Sequence, residues 1–118
     1  VVVAGELRVV TGSRDKTARV WGERGALLTL EHAARVFSVA GVVAGDAWRV
    51  VSGDWSGAVQ VWDGASGAML AALDGHSCVN SLAVHKMDDG WRVASGSGSS
   101  RDKKVRVWEI HGALAGLR

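Results

Sequence analysis

The chain has 118 residues, 47% of them hydrophobic, and a formal net charge of +2. This apolar content is normal for a globular protein and argues against a disordered chain, and the apolar runs are far shorter than a membrane-spanning helix. The charged residues are dispersed along the chain, so the small positive excess gives poor support to a nucleic-acid-binding function.

The number of cysteines indicates the cellular compartment in which the protein is found. Cys78 is the one cysteine of the sequence, which rules out an internal disulfide framework. A chain without disulfides fits a reducing compartment, so we expect an intracellular location, in the cytoplasm or the nucleus. The sequence begins with Val1 and shows no secretory signal, and we expect it to be a segment of a longer chain.

The first 31 residues predict three short strands. The segment VVAGELRVVTG (2–12) contains a Gly-bearing turn followed by a β-branched run, which is typical of a turn leading into a buried strand. TARVW (17–21) follows a polar turn and alternates apolar and polar residues with a period of two, as strands do. ALLTLE (26–31) completes the group.

The next two stretches of the chain repeat this pattern and add one strand in front of it. The added strands are RVFSVAGVV (35–43) and CVNSLAVHK (78–86). The other predicted strands of the second stretch lie in VVAGDAWRVVSG (42–53), AVQVW (58–62) and AMLAALD (68–74), and those of the third in KMDDGWRVASG (86–96), KVRVW (104–108) and ALAGLR (113–118). The predicted unit is therefore four short strands joined by tight turns.

Helix is a competing interpretation for two of these segments. GAMLAALDG and GALAGLR are rich in Ala and Leu, which favour helices. Each segment is only about seven residues long, however, and is bounded by Gly or Asp, which is short for a helix. The repeat context favours strands at both places.

The turns and third strands recur as near copies of one another. TGSRDKTARVW (11–21) returns loosely as SGDWSGAVQVW (52–62) and again as SGSGSSRDKKVRVW (95–108). The copies end at Trp21, Trp62 and Trp108, which are 41 and 46 residues apart. A period of this size is the sequence signature of a repeat architecture.

Two dipeptides recur with the same period. A Gly-His pair occurs at Gly75-His76, with a degenerate form at Glu31-His32, and a Trp-Asp pair occurs at Trp62-Asp63, with variants Trp21-Gly22 and Trp108-Glu109. With the period and the strand pattern, these pairs resemble the WD-repeat β-propeller family over almost the whole chain. The resemblance implies an all-β fold: a partial propeller of about three four-stranded antiparallel blades that does not close into a ring by itself.

The resemblance also divides the chain into repeats. It implies an incomplete first repeat at 1–31, which lacks the Gly-His turn and most of the inner strand, then complete repeats at 32–75 and 76–118. Propellers close with roughly four to eight blades, and each blade buries its faces only against its neighbours. We therefore expect the remaining blades to be supplied by a longer parent chain or by self-association.

In this family each blade resembles a ladder of four hydrogen-bonded side chains: a Trp, a Ser or Thr, the His of the Gly-His turn, and an Asp in the turn before the third strand. A buried indole N–H needs such a partner. The resemblance implies structural roles in these ladders for Thr11, Asp15 and Trp21 in the first blade, for His32, Ser52, Ser56 and Trp62 in the second, and for His76, Ser95, Asp102 and Trp108 in the third.

Two of the three ladders depart from the pattern. Ser56 stands where the second blade should carry its Asp, so we expect that ladder to be weakened unless Asp54 reaches in from the same turn. The His of the first ladder would precede residue 1. The third set is complete, although an insertion near Gly98-Ser99-Ser100 lengthens its turn.

No catalytic, metal or cofactor site is predicted. The grouping of His76, Cys78 and His85 has a spacing that matches no standard metal site. The Gly/Ser-rich segment SGSGSS (95–100) lacks the Lys-Ser/Thr ending and the following helix of a phosphate-binding loop. Cys78 is better explained as a small buried hydrophobic residue than as a nucleophile.

The predicted partner-binding surface is the propeller face that carries the Gly-His and Asp-bearing turns, which is the usual partner-binding face of the family. The candidate residues on it are Arg14, Arg35, Trp55, Asn80 and Arg101. Exposed Arg and Trp are enriched at interface hot spots, and together with Lys16 and Lys103 the arginines are suited to an acidic or phosphorylated peptide. The alternative is that these cations are only solvated and that Trp55 packs sideways on a neighbouring turn.

Three functions remain open, and an enzyme is the least favoured class. The first is a non-catalytic scaffold for protein–protein interaction, which is the default that the resemblance implies. The second is a substrate-receptor subunit of a ubiquitin ligase; many such receptors carry an Arg two residues after Trp-Asp, and only WGER (21–24) places one there, without the Asp. The third is RNA binding through the basic turns.

Overall fold

The computed structural model describes residues 1–44, 47–74, 78–87, 90–97 and 105–111. All regular elements in these ranges are β-strands. The first blade comprises β1 (Val2–Val3), β2 (Glu6–Leu7), β3 (Val9–Gly12), β4 (Thr17–Gly22) and β5 (Gly25–Glu31); the second comprises β6 (Val36–Ala44), β7 (Ala47–Asp54), β8 (Ala58–Asp63) and β9 (Met69–Asp74); and the third comprises β10 (Ser81–Met87), β11 (Gly90–Gly96) and β12 (Val105–His111).

The strands form antiparallel sheets in which each strand pairs with its sequence neighbours. The second blade has four strands in the order β6-β7-β8-β9, the third has β10-β11-β12, and the first has β3-β4-β5 with the hairpin β1-β2 beside it. The predicted all-β class is thus confirmed, and the sheets do not close into a ring.

The alternation seen in the sequence decides which side chains are buried. In β4, Ala18 and Val20 are fully buried while Arg19 between them is half-exposed, and Val59 and Val61 are buried in the same way in β8. The Ala- and Leu-rich segment that could have been a helix is strand β9, which pairs with β8. Its counterpart at 113–118 lies outside the described residues.

The core lies between the blades, in two separate clusters. In the first cluster, side chains of the first blade (Ala18, Val20 and Leu30) pack against the second-blade residues Val36, Trp48, Val50 and Trp62. In the second cluster, Val51, Val59 and Val61 of the second blade pack against Val79 and Val93, with Trp108 beside them. Each blade is therefore held mainly by the face of its neighbour.

Glycines at the ends of β3 and β7 allow the blades to approach closely. A Cβ atom on Gly12 would lie 2.8 Å from Val36 Cγ1, and one on Gly53 would lie 2.3 Å from Val79 Cγ1. Both valines belong to the segment that begins the next blade. Glycine at these positions makes room for a side chain of the following blade.

The first and third blades have faces that none of the described strands covers. Val105 and Val107 of β12 are 74% and 62% exposed, although their equivalents in β8, Val59 and Val61, are fully buried. On the first blade, Val9 is 45% exposed, whereas its equivalent Val50 is fully buried. No helix long and apolar enough to cross a membrane is found among the described residues.

Candidate functional site

A buried hydrogen-bonded ladder crosses the second blade. Trp62 on β8 donates its Nε1–H to Ser52 Oγ on β7 at 2.8 Å, and Ser52 Oγ lies 2.5 Å from His32 Nε2. On the other side of the ring, His32 Nδ1 lies 2.8 Å from Asp54 Oδ2. Both the imidazole and the carboxylate are fully buried.

One assignment of protons satisfies this whole ladder. A carboxylate can only accept, so His32 Nδ1 carries a hydrogen and donates it to Asp54. Ser52 Oγ accepts from the indole of Trp62 and donates its own hydrogen to His32 Nε2. Every polar group of the ladder then has a partner, which rigidifies the second blade.

The carboxylate of this ladder belongs to Asp54 and not to the position of Ser56. The sequence alignment placed Ser56 here, with Asp54 of the same turn as the alternative, and the structure shows that Asp54 and not Ser56 contacts His32. Asp54 Oδ1 accepts hydrogen bonds from Ser56 N at 2.9 Å, from Ser56 Oγ at 2.6 Å and from Ala58 N at 3.1 Å. One oxygen thus shapes the turn while the other holds His32, so the ladder is complete and the expected weakening does not follow.

The environment of Asp54 acts on its pKa in two directions. Burial raises the pKa of this carboxyl, but hydrogen bonds from Ser56, His32 and the amide of Ala58 lower it, and the net result is a pKa below the ordinary value of 3.8. Asp54 is therefore ionised at neutral pH although its side chain is buried.

The ladder of the first blade is shorter and more exposed. Trp21 donates its indole N–H to Thr11 Oγ1 at 2.8 Å. Asp15 accepts from the amide and hydroxyl of Thr17 and pairs with Arg19 at 3.1 Å. These contacts, with the hydroxyl of Thr17 first, hold the pKa of Asp15 below 3.8. No imidazole joins Thr11 among the residues that the structure describes.

Only half of the third ladder falls within the described residues. Trp108 on β12 donates its indole N–H to Ser95 Oγ on β11 at 3.2 Å, and Ser95 is buried. His76 and Asp102, which the resemblance assigns to the same ladder, lie outside the described residues. The insertion at 98–100 lies outside them as well.

Ser52, His32 and Asp54 are linked in the same order as the nucleophile, base and carboxylate of a serine hydrolase. Here the hydroxyl is fully buried and already accepts the Trp62 indole N–H, so a substrate carbonyl has no path to it. A nucleophile must be within reach of the bond that it attacks. These three side chains tie the segment that begins the second blade to β7.

The turns predicted to bind a partner are joined by backbone hydrogen bonds along one edge of the molecule. Val36 N donates to Ser13 O, Trp55 N donates to Arg35 O, and Val79 N donates to Asp54 O, at 2.9 to 3.0 Å. We call the surface formed by residues 13–17, 32–37, 54–57 and 78–80 the turn edge. It carries four of the predicted partner-binding residues: Arg14, Arg35, Trp55 and Asn80. Arg101 and Lys103 lie outside the described residues.

An exposed aromatic pair stands on the turn edge. Trp55 is 56% exposed and Phe37 is 40% exposed, and their rings meet edge to face with centroids 5.3 Å apart. The pairing of β6 with β7 shifts register at Phe37, which is typical of a β-bulge, and bulges redirect side chains. Trp55 does pack sideways, yet more than half of it remains open to solvent.

Phe37 was not predicted from the sequence, although a signal for it exists. It is the one phenylalanine of the chain, and it occupies the position equivalent to Asn80, which was predicted. Arg14, Lys16 and Arg35 are all exposed. The turn edge therefore combines apolar rings with cations.

Cys78 and His85, which the sequence groups together, differ in their exposure to solvent. Cys78 is buried, and this burial, with the nearby charge of Asp54, raises the pKa of its thiol. His85 lies exposed on β10. Within the described residues, no group of three His, Cys, Asp or Glu side chains is placed to hold a metal ion.

The family model named "WD domain, G-beta repeat" matches residues 4–22 and 67–109, which is more than half of the chain. The chain belongs to the WD-repeat family. This confirms the resemblance seen in the sequence, and the sheet β6-β7-β8-β9 with its Trp62 ladder is a complete four-stranded blade. No curated protein sequence matches the chain.

Several solved structures resemble this WD-repeat chain. A computationally designed protein, Ika4, is 33% identical over 87% of the chain, with a TM-score of 0.68. The structures titled "U3-55K" and "RRP9 WD40 repeats" are 22% and 24% identical over 92% of it, with TM-scores of 0.75 and 0.76. The last two show the fold alone and confirm the partial propeller. The chain spans 60% of the designed protein and 32% of each of the other two.

Proposed function

We propose that this WD-repeat chain is a non-catalytic scaffold segment that binds a protein or peptide partner through the turn edge. WD-repeat propellers are generally protein-interaction scaffolds, and the family model covers more than half of the chain. The observation that carries the proposal is the exposed pair of Phe37 and Trp55, because exposed aromatic side chains in a polar surround are typical of interface anchors.

The surroundings of the aromatic pair favour an acidic or phosphorylated partner. Arg35 lies next to the pair in the chain, and its carbonyl oxygen holds the amide of Trp55. Arg14 and Lys16 lie in the turn whose Ser13 carbonyl binds Val36 N, one residue before Phe37. Guanidinium groups bind carboxylate and phosphate through two parallel hydrogen bonds. An extended peptide with an apolar residue beside an acidic or phosphorylated one would match both features.

Two carboxylates near the turn edge are already engaged within the chain. Asp15 is paired with Arg19, and Asp54 is buried against His32. Neither carboxylate is free to repel an approaching anion. Within the described residues, no salt bridge engages Arg14, Lys16 or Arg35, so these cations are suited to pairing across an interface.

The experiment is a binding screen with the purified chain against arrayed 12-residue peptides in acidic, phosphorylated and neutral sets. We expect binding to acidic or phosphorylated peptides that carry an aromatic or aliphatic residue. Trp55→Ala should weaken binding by about 30-fold, the effect of losing a hot-spot residue, and Arg35→Ala should weaken it too.

A matched control separates the turn edge from general surface hydrophobicity. Met69 is 54% exposed and lies at the start of β9, beyond the opposite end of β8 from Trp55, so Met69→Ala should leave binding unchanged. Equal affinity of the Trp55→Ala variant, with its circular dichroism spectrum intact, would retire the proposal. Binding of single-stranded RNA with a steep salt dependence, and of no peptide, would favour the RNA alternative instead.

A further inference from the structure

We propose that a pocket on the first blade binds a segment of a partner polypeptide in which an acidic side chain lies beside a basic one. The pocket has a volume of about 480 Å³ and lies where β4 turns into β5, at the other end of β4 from the turn edge. We call it the Gly22 pocket. Its lining residues are Glu6, Arg8, Gly22, Glu23, Arg24 and Leu27.

In the other two blades, an arginine near the start of one strand pairs with the acidic residue that follows the ladder tryptophan. Arg49 Nη1 lies 3.7 Å from Asp63 Oδ1, and Arg92 Nη2 lies 3.2 Å from Glu109 Oε1. The two members of each pair stand opposite one another in adjacent strands. The chain thus places a carboxylate against the same arginine position twice.

The first blade has the arginine but not the acidic residue. Val9 stands opposite Trp21 in the pairing of β3 with β4. Arg8 and Gly22, one residue further along each strand, therefore take the positions of the arginine and the acidic residue. A Cβ atom on Gly22 would lie 3.5 Å from Arg8 Nη1. The space that a carboxylate fills in the other blades is thus open to a ligand here.

Arg8 keeps hydrogen-bond donors for such a ligand. Its Nη1 donates to Leu7 O at 2.9 Å, and its Nη2 donates to Glu6 Oε2 at 2.7 Å. A guanidinium has five N–H donors, so these two contacts with described residues leave three of them for a ligand. The Arg8 side chain is only 22% exposed, and partial removal from water strengthens a hydrogen bond between charged groups.

The charges of the lining determine which anion fits. The arginines Arg8 and Arg24 line the pocket, and the glutamates Glu6 and Glu23 line it as well, so the lining is neutral overall. A phosphate dianion would add negative charge beside two glutamates, and like charges brought together cost free energy. A carboxylate with a cation beside it keeps the charges balanced, since the carboxylate pairs with Arg8 and the cation with Glu23. Leu27 is 53% exposed and offers apolar contact to the methylene groups of a lysine.

The Gly22 pocket lies on the face of the first blade that is turned toward the second blade. Arg8 comes two residues before Val10, and Gly22 comes two residues after Val20. Both valines pack in the first core cluster, between these two blades. Residues two apart in a strand share a face, so Arg8 and the open space at Gly22 lie on that face too. The pocket therefore does not depend on what precedes the first residue of the sequence.

The binding test uses the ¹⁵N-labelled 118-residue chain and the blocked dipeptide N-acetyl-Asp-Lys-amide. We expect saturable shifts of the Arg8 Nε–H and Gly22 amide resonances, with a Kd of about 1 to 10 mM. N-acetyl-Asn-Lys-amide should bind at least about fivefold more weakly, because it lacks the carboxylate. Sodium phosphate should not displace the dipeptide. Equal binding of the two dipeptides, or displacement by phosphate, would overturn the proposal.

Three variants locate the dipeptide on the chain. Arg8→Gln should weaken its binding at least about fivefold, because the main partner of the carboxylate is lost. Arg19→Gln removes another arginine of the first blade and should leave binding unchanged, which makes it the matched control. Trp55→Ala should also leave it unchanged, because Trp55 belongs to the turn edge. Unchanged binding to a folded Arg8→Gln variant would contradict the site, and loss of binding in the Trp55→Ala variant would place the dipeptide on the turn edge instead.

A carboxylate attached to the chain tests the geometry without a ligand. Gly22→Asp should give a higher urea midpoint than Gly22→Asn, which has the same shape without the charge. The difference should vanish when Arg8→Gln is added to both variants, because the charge then has no partner. Gly22→Asp should also abolish binding of the dipeptide, since it fills the same space. Equal midpoints of Gly22→Asp and Gly22→Asn in the presence of Arg8 would contradict the position assigned to the carboxylate.

Discussion

His32 Nδ1 and Asp54 Oδ2 lie 2.8 Å apart with both side chains fully buried. The pair joins the segment that begins the second blade to the turn that ends β7. A buried carboxylate is tolerated only when it is paired and hydrogen-bonded, and Asp54 meets both conditions through His32, Ser56 and Ala58.

Removing the buried carboxylate should therefore be costly. We expect Asp54→Ala to lower the free energy of unfolding by about 3 kcal/mol or more, since it leaves the His32 N–H unpaired and frees the turn. Ser56→Ala removes a single hydrogen bond and should cost about 1 kcal/mol. Urea unfolding followed by tryptophan fluorescence measures both. A larger loss for Ser56→Ala than for Asp54→Ala would contradict the assignment of the ladder carboxylate.

The stability should fall in acid because of the same carboxyl group. The pKa of Asp54 lies below its ordinary value in the folded chain, so the unfolded chain binds the proton more tightly. The stabilisation is therefore complete above the ordinary value of 3.8 and is lost as the pH falls through the lower folded value. We expect Asp54→Asn to flatten the decline of the urea midpoint between about pH 5 and pH 2. If the urea midpoint of the Asp54→Asn variant declines with pH as steeply as that of the natural chain, Asp54 is not the source of the loss of stability in acid.

The two hydroxyls that hold tryptophans should differ in their importance. Ser52 is fully buried and serves Trp62 and His32 together, so Ser52→Ala should cost about 2 to 3 kcal/mol. Thr11 is exposed and serves Trp21, so Thr11→Val should cost well under 1 kcal/mol. Thermal unfolding measures both variants. Equal losses in the free energy of unfolding would show that solvent exposure does not determine how much these hydrogen bonds contribute.

A charge should be tolerated on one valine and not on its equivalent. Val61 is fully buried between the second and third blades, and Val61→Asp should abolish cooperative unfolding. Val107 is 62% exposed, and Val107→Asp should shift the unfolding midpoint little. Severe destabilisation by Val107→Asp would mean that this face is covered in solution.

The thiol of Cys78 should react slowly in the folded chain. Its sulfur is buried and its pKa is raised, so little of it is present as the reactive thiolate. We expect modification by a disulfide reagent at pH 8 to be at least about tenfold slower than in denaturant. A rate equal to that of the denatured chain would place Cys78 at the surface.

Much of the fold could be predicted from the sequence. The alternation in TARVW and AVQVW predicted the strands, the recurrence of Trp21, Trp62 and Trp108 predicted the repeats, and the resemblance to the WD-repeat family implied the Trp–hydroxyl pairs. Strand alternation depends on neighbouring residues, and the tryptophans recur at a regular spacing, so both can be recognised in the sequence. The helix alternative for the β9 segment was settled by its pairing with β8.

The candidate site depended more on tertiary contacts. Asp54 and Ser56 lie two residues apart in one turn, and their order is the reverse of Ser13 and Asp15 in the first blade. Alignment alone favours Ser56 for the ladder, whereas the path of the turn brings Asp54 to His32. Phe37 meets Trp55 only because a bulge in β6 turns its ring toward the next turn.

The sequence by itself determined that this chain is built from repeated units of short strands that carry a tryptophan at the end of one strand, because side-chain alternation and turn residues act over a few positions. Only the tertiary structure decided which of these equivalent residues are buried. Val61 and Val107 occupy the same place in their strands, yet one is fully buried and the other is 62% exposed. The difference arises from the neighbouring blade, since the burial of an apolar face depends on what packs against it.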